Sequence, residues 1–240
     1  RGLTRDIKDE INRHITSMPR KPTFSVILDL SRSNHNIHAT FQSLRNQIYP
    51  HFEICILGYS KTHNTISAFD ANNIHYLEND KVLDVHGDYC IFIDAGDCLH
   101  PYALYEFASA LNCKPELDIL YGDEDTIDRH GNHDAPFFKP DWSPDYLEVL
   151  NYIEFPSCYK SQLAIAGYSN RCLYDLALCS TEVTQNIFHI PKVLGHRDKA
   201  NVINGEYQRR NKSYCKSLQS RLKRTGRIGQ VSEHPKYAGA

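Results

Sequence analysis

Two segments decide how the chain reads. Leu117-Asp118-Ile119-Leu120-Tyr121-Gly122-Asp123-Glu124-Asp125 runs from an apolar stretch into three adjacent acids. Pro136-Phe137-Phe138-Lys139-Pro140-Asp141-Trp142-Ser143-Pro144-Asp145 follows, after a turn-forming Arg129-His130-Gly131-Asn132. The apolar part, Leu117 to Tyr121, predicts a strand. The second segment has three prolines and three aromatics within nine residues, which predicts a rigid loop of the kind that walls a pocket. Two readings of Asp123, Glu124 and Asp125 are open on residues alone. They line a site beside the aromatic loop, or they form a solvated, mutually repelling turn.

Working outward, short apolar runs alternate with helical patterns. Phe24 to Leu28, Phe52 to Leu57, Asn73 to Leu77 and Asp88 to Ile93 read as strands. Leu3, Ile7, Ile11, Ile15 and Met18 mark one helical face, which Pro19 and Pro22 end. Helices are also predicted around Phe41 and Leu44, over Pro101 to Leu111, and over Tyr174 to Leu178. Ile187 to Leu194 reads as a further strand. This alternation predicts an α/β fold, a mostly parallel sheet with helices on both faces. Ligands in such sheets bind at the carboxyl ends of strands, here Leu28–Asn34, Gly58–Thr62 and Asp94–Asp97.

Composition is that of a globular protein: 240 residues, 41% hydrophobic and 23% charged. The formal charge of −2 hides a split. Eight basic residues and no acid lie between Tyr207 and Arg227, which leaves 19 basic against 29 acidic residues elsewhere. The basic segment carries Tyr214, Leu218 and Leu222 on one helical face. Packing on the acidic body and docking to an anionic membrane surface both fit it. A nucleic-acid role has no fold signature behind it and is not expected. The eight cysteines form no C-x-x-C pair and no zinc spacing, so reduced thiols are expected rather than a disulfide scaffold. The histidines are scattered and are expected mostly at surfaces and turns. No run of 18 apolar residues is present. The first residue is Arg1, so the chain is expected to be a piece of a longer protein.

In its motifs the chain resembles family 2 glycosyltransferases of the GT-A fold, in the bacterial cell-surface polysaccharide branch. The resemblance covers nearly all of it. Lys21-Pro22-Thr23-Phe24-Ser25-Val26-Ile27 is similar to the family's opening strand. Gln42 through Glu53 resembles its helix and second strand, and Gly87 through Leu104 the region of its metal motif. The most specific match is Tyr121 to Asp125 followed by Phe137 to Asp145. Asn151-Tyr152-Ile153, Tyr174-Asp175-Leu176-Ala177-Leu178 and Ile190-Pro191-Lys192-Val193-Leu194 continue it in order.

The resemblance implies inverting transfer of a sugar from a nucleotide-sugar to a glycan acceptor hydroxyl. It implies Mg2+ or Mn2+ on oxygen ligands and a carboxylate base. Residue by residue, the implied roles are incomplete. Asp94-Ala95-Gly96-Asp97 stands at the D-x-D-D motif, with Gly96 in place of the expected metal carboxylate. Asp97 is then a metal candidate, or a cap for the following helix, and Asp94 a nucleotide-sugar contact. His196 aligns with the family's H-W-R, where the histidine completes the metal site. Asn34 and Tyr59 fall at the nucleoside contacts, where the family's usual residues are missing. Only seven residues separate Asn79 from Gly87, so a helix beside the nucleotide is expected to be deleted. Leu173 stands where the base belongs. Asp175, two residues on, is the remaining candidate for the base, or a helix residue with a structural partner. Asp123, Glu124, Asp125 and Trp142 are left to shape an acceptor cavity.

The expectation is therefore a family 2-like domain of cytoplasmic location, free or at the inner membrane face, with impaired or lost catalysis. The alternative is a non-catalytic scaffold, or a glycan- or partner-binding domain of a larger transferase. The expected divisions are residues 1–22 as a helix and lead-in, 23–197 as the GT-A unit, and 198–240 as a basic helix and tail.

Overall fold

The computed structural model describes residues 5–30, 36–58, 73–77, 84–168, 172–203 and 206–232. The chain begins with α1 (Arg5–Ser17), then β1 (Phe24–Asp29), α2 (Ile37–Arg45), β2 (Phe52–Leu57), β3 (Ile74–Tyr76) and β4 (Tyr89–Asp94). A two-residue β5 (Cys98–Leu99) precedes α3 (Ala103–Cys113). The second half runs β6 (Ile119–Ile127), β7 (His133–Phe137), α4 (Pro144–Leu147), β8 (Ser157–Lys160), α5 (Ser161–Gly167) and α6 (Leu173–Val183). It closes with β9 (Ile187–Asp198), α7 (Lys199–Ile203) and α8 (Glu206–Arg224).

The described strands form one sheet in the order β3-β2-β1-β4-β8-β6-β9-β5, with β7 added to β6. β3, β2, β1 and β4 are parallel neighbours, and β6 and β9 are also parallel. Antiparallel β8 joins the two blocks, pairing β4 on one side and β6 on the other. Strands buried on both faces read as unbroken apolar runs, and β1 and β4 are buried at every position. The pleat sends successive side chains to opposite faces. Phe24, Val26 and Leu28 of β1 enter a core with Ile15 of α1, Phe41 of α2 and Phe107 of α3. Ile27, between them, enters a second core with Ala164 of α5 and Leu176 of α6. Helices thus cover both faces.

Two local readings change. The acids Asp123–Asp125 lie within β6 and not in a turn, because β9 and β7 pair with that length of chain. The proline-rich segment is less irregular than its composition suggests. Its first two residues end β7, which among the described residues pairs only with β6, and an edge strand accommodates Pro136. Pro144 opens α4, with the Ser143 side chain accepting from the Tyr146 amide. All eight cysteines are free thiols, and Cys55, Cys90, Cys98 and Cys158 are buried.

The basic helix packs on the body. Tyr214 and Leu218 of α8 join a core cluster with Tyr121, Leu147 and Tyr174. Arg221 and Arg227 approach Glu148 at 3.0 and 2.5 Å. Arg224 pairs with Glu182 at 2.9 Å. Among the described residues, no helix is long and apolar enough to cross a membrane.

Candidate functional site

The acidic run of β6 is built into the fold by basic side chains from elsewhere. The Asp123 carboxylate accepts from the Lys139 backbone amide at 2.9 Å and lies 2.8 Å from the His189 ring. That ring stacks on Tyr121, at 5.0 Å between centroids, and reaches Asp141 at 3.1 Å. Glu124 accepts from Lys139 Nζ at 3.2 Å and from Arg197 Nε at 3.0 Å. Lys139 Nζ also donates to the Phe155 carbonyl. Its side chain is wholly buried, and burial holds its ammonium below the usual lysine range against the pull of Glu124. Asp125 lies 2.6 Å from His196 and 3.0 Å from His133. Three adjacent carboxylates repel one another. Here each has a basic partner, so they sit in a strand.

The Asp94–Asp97 turn lies at the end of β4. Gly96 has φ +99°, a conformation that a side chain resists. A Cβ built there would stand 2.7 Å from an oxygen of Asp198. The Asp198 carboxylate therefore fills the space beside the missing one. Asp97 does not cap α3, whose N-terminal residue Tyr102 has no side-chain cap bond. It accepts instead from the Asp198 amide at 2.9 Å and from Asn201 at 3.2 Å, at the start of α7.

Burial pushes the Asp97 carboxyl up to about 7, against the pull of Arg197. Below about pH 4 both folded and unfolded chains hold this proton. Between about 4 and 7 the unfolded chain releases it first, so the group removes stability as pH rises. Relative to Asp97→Asn, the native chain is expected to lose stability progressively over that window. Urea titrations at several pH values check this. Parallel curves for the two proteins would exclude it.

The other predicted residues separate. His196 is buried on β9, opposite Asp125 in the register. His189 and His196 are thus strand-core residues, whereas the other described histidines are exposed or half-buried. Burial lowers His196 and also His100, the latter to about 4. Asp175 is buried in the first turn of α6, 3.7 Å from Arg224 of α8, so it has the structural partner that was one of its two readings. Leu173, at the position of the base, is buried in the second core. Trp142 packs against the core cluster of Tyr121 and Tyr152. An open cavity of about 510 Å³ beside the loop is lined by Phe137, Phe138, Lys139, Pro140, Ser143 and Tyr146. Asn34 and Tyr59 lie outside the described residues, as do 78–83, where the shortened segment falls.

Sequence reasoning passed over Lys139, Arg197, Glu154, His189 and His133. A basic residue recurs along β9, at His189, His196 and Arg197, and that recurrence was the available signal.

No family model matches the chain. Over 246 residues it is 27% identical to the O-antigen biosynthesis protein RfbC of Myxococcus xanthus, covering 91% of this chain and 19% of that protein. Over 178 residues it is 28% identical to the uncharacterized protein y4gI of Sinorhizobium fredii, covering 64% and 20%. The chain spans about a fifth of the length of these curated relatives. Among solved structures, S. aureus TarS 1-349 matches with a TM-score of 0.55 at 15% identity, covering 83% of this chain and 65% of that one. Its complex with UDP-GlcNAc gives 0.53 at 17%, covering 74% and 58%. The mannosyltransferase PcManGT of Pyrobaculum calidifontis, in complex with GDP-Man and Mn2+, gives 0.56 at 12%, covering 94% and 72%. The fold is GT-A.

Within this GT-A frame the Asp94–Asp97 motif keeps two carboxylates. Mg2+ or Mn2+ is commonly held by one or two carboxylates together with waters and substrate phosphates. Gly96 offers no side-chain oxygen, and one Asp97 oxygen already accepts two hydrogen bonds. Among the described residues, the trio that brings one donor atom each within 4.8 Å of the others is Asp125, His133 and His196.

Proposed function

We propose that this is a glycosyltransferase-type domain of cell-surface polysaccharide biosynthesis in which sugar transfer is impaired or lost. The GT-A fold and the similarity to an O-antigen biosynthesis protein support the class. The engagement of Asp123, Glu124 and Asp125 by Lys139, Arg197 and histidines is the observation that carries the impairment. A carboxylate base must reach the acceptor hydroxyl with a lone pair to give. All three are already engaged by partners, and Leu173 has no lone pair to offer. A nucleotide-sugar donor and a glycan acceptor are the ligands of this reading, at the cytoplasmic face.

The test is turnover of UDP-, dTDP- and GDP-sugars with Mg2+ or Mn2+ present. The expected rate lies far below the ~1 s⁻¹ at which ordinary enzymes begin. Metal-dependent turnover at or above that rate would overturn the impairment.

A second reading, a glycan- or partner-binding scaffold inside a longer transferase, is favoured by one feature. Phe138 is 69% exposed beside Phe137 and Tyr146. Exposed aromatic ledges of this kind mark interaction surfaces. In calorimetry with surface oligosaccharides, Phe138→Ala is expected to cost at least ~1 kcal/mol of binding. Equal affinity in that variant would remove the ledge from consideration.

A further inference from the structure

Asp125, His133 and His196 come from three neighbouring strands. Asp125 stands opposite His196 across the β6–β9 pairing, and His133 opens β7 opposite Ile127 of β6. The register of β7 is held beside the trio. Thr126 Oγ1 donates to the Asp134 carbonyl at 3.0 Å, and Lys199 pairs with the Asp134 carboxylate at 3.0 Å. Donors fixed on sheet positions are preorganised, because no loop must order before they converge.

The geometry has a metal's dimensions. His196 Nδ1 lies 2.6 Å from Asp125 Oδ1, and His133 Nδ1 lies 3.0 Å from Asp125 Oδ2. The two rings meet edge to face with centroids 4.6 Å apart. A tetrahedral ion with bonds of about 2.0–2.1 Å holds its ligands about 3.3 Å from one another. The His196 contact therefore needs to open by about 0.7 Å and the His133 contact by about 0.3 Å, with all three donors already within 4.8 Å of one another. Two imidazoles with one carboxylate suit borderline divalent d-block ions, whereas Mg2+ and Ca2+ prefer an all-oxygen shell. Asp125 and His196 are nearly buried, at 13% and 11% side-chain exposure, while His133 is at 49%. The remaining coordination position thus faces solvent on the His133 side.

We propose that Asp125, His133 and His196 form a two-histidine, one-carboxylate site for a borderline divalent transition ion of the Zn2+ class. This site takes His196 away from the Asp94–Asp97 motif and does not use that motif's carboxylates. It goes beyond the glycosyl-transfer reading, and its test needs neither donor sugar nor acceptor.

The metal-stripped full chain is titrated with Zn2+ by calorimetry, in parallel with Mg2+. One equivalent of Zn2+ is expected to bind at micromolar affinity or tighter, and Mg2+ far more weakly. His133→Ala, at a half-exposed hairpin position that does not threaten folding, is expected to weaken Zn2+ by at least ~10-fold. Two control variants are expected to keep the affinity. His75→Ala alters the other histidine cluster, where His75 and His86 flank Glu53 at 3.3 and 3.2 Å. Cys113→Ser removes the exposed thiol. With Co2+ in place of Zn2+, the visible spectrum is expected to show ligand-field bands and no thiolate charge-transfer band. The site is overturned by the lack of saturable Zn2+ binding, by native affinity in His133→Ala, by Mg2+ binding as tightly as Zn2+, or by a thiolate band.

Discussion

Arg197→Ala is expected to lower the unfolding free energy by about 3–5 kcal/mol. Its guanidinium stands 3.0 Å from Glu124, 3.5 Å from Glu154 and 4.0 Å from Asp97, and it lies over the Phe155 ring. None of these side chains is more than 13% exposed, so water cannot replace the cation. Glu124 keeps Lys139 in the variant, and Glu154 keeps Tyr214, whose hydroxyl donates at 2.8 Å. The lost charge is nonetheless shared by three carboxylates. Urea denaturation measures the loss. Arg197→Lys is expected to fall between, since an ammonium keeps the charge but not the fork that spans two acids. Adding Glu154→Gln to Arg197→Ala is expected to recover part of the stability, because it removes one stranded charge. A loss below ~1 kcal/mol would mean that the network behaves like an exposed ion pair.

The second large effect concerns the motif that lost its carboxylate. Gly96→Asp restores the residue that the family motif carries, and it is expected to destabilise the fold by ~2–4 kcal/mol without restoring Mg2+-dependent turnover. The new side chain meets two obstacles. The backbone at φ +99° disfavours any Cβ, and that Cβ would stand 2.7 Å from Asp198 Oδ2. Two carboxylates that close also repel each other. Adding Asp198→Ala is expected to relieve the collision and leave the backbone strain. It also removes the bond from the Ala200 amide at 2.9 Å that caps α7. Thermal melts of the single and double variants, with turnover measured on each, separate these contributions. A Gly96→Asp chain that is as stable as the native one and turns over sugar with Mg2+ would contradict the reading that the backbone and Asp198 exclude a carboxylate at this position.

The sheet and its covering helices were legible because their signals are local. Phe24–Leu28 and Tyr89–Ile93 are unbroken apolar runs, and the face of α1 is spelled by Ile7, Ile11 and Ile15. Short elements with mixed faces gave no such signal. β8 is four residues at the junction of two blocks, and β5 is two residues paired, among the described residues, to β9 alone. The acidic run was legible as unusual, but its meaning was not. Whether Asp123–Asp125 repel in a turn or settle in a strand depends on partners as far away as Lys139, His189 and Arg197. Only the tertiary pairing of β6 with β9 brings those partners in. The departures Gly96 and Leu173 were readable from the resemblance alone. That the Asp198 carboxylate lies in the space beside Gly96 was not, since 102 residues separate the two.

The pairing of β6 also sets a schedule for the growing chain. One edge of β6 is shared by β7 and β8, while the other belongs to β9 along its whole length, from Ile119–Ile187 to Ile127–Asp198. A ribosome that has completed Ile127 must add 71 more residues to reach Asp198. At ~5–20 residues per second that takes roughly 4–14 s. Throughout that interval the β6 edge beginning Ile119-Leu120-Tyr121 can pair with a neighbouring chain. Any variant that slows the arrival of β9, or any shortened chain that lacks it, is accordingly a candidate for insolubility before it is a candidate for altered activity.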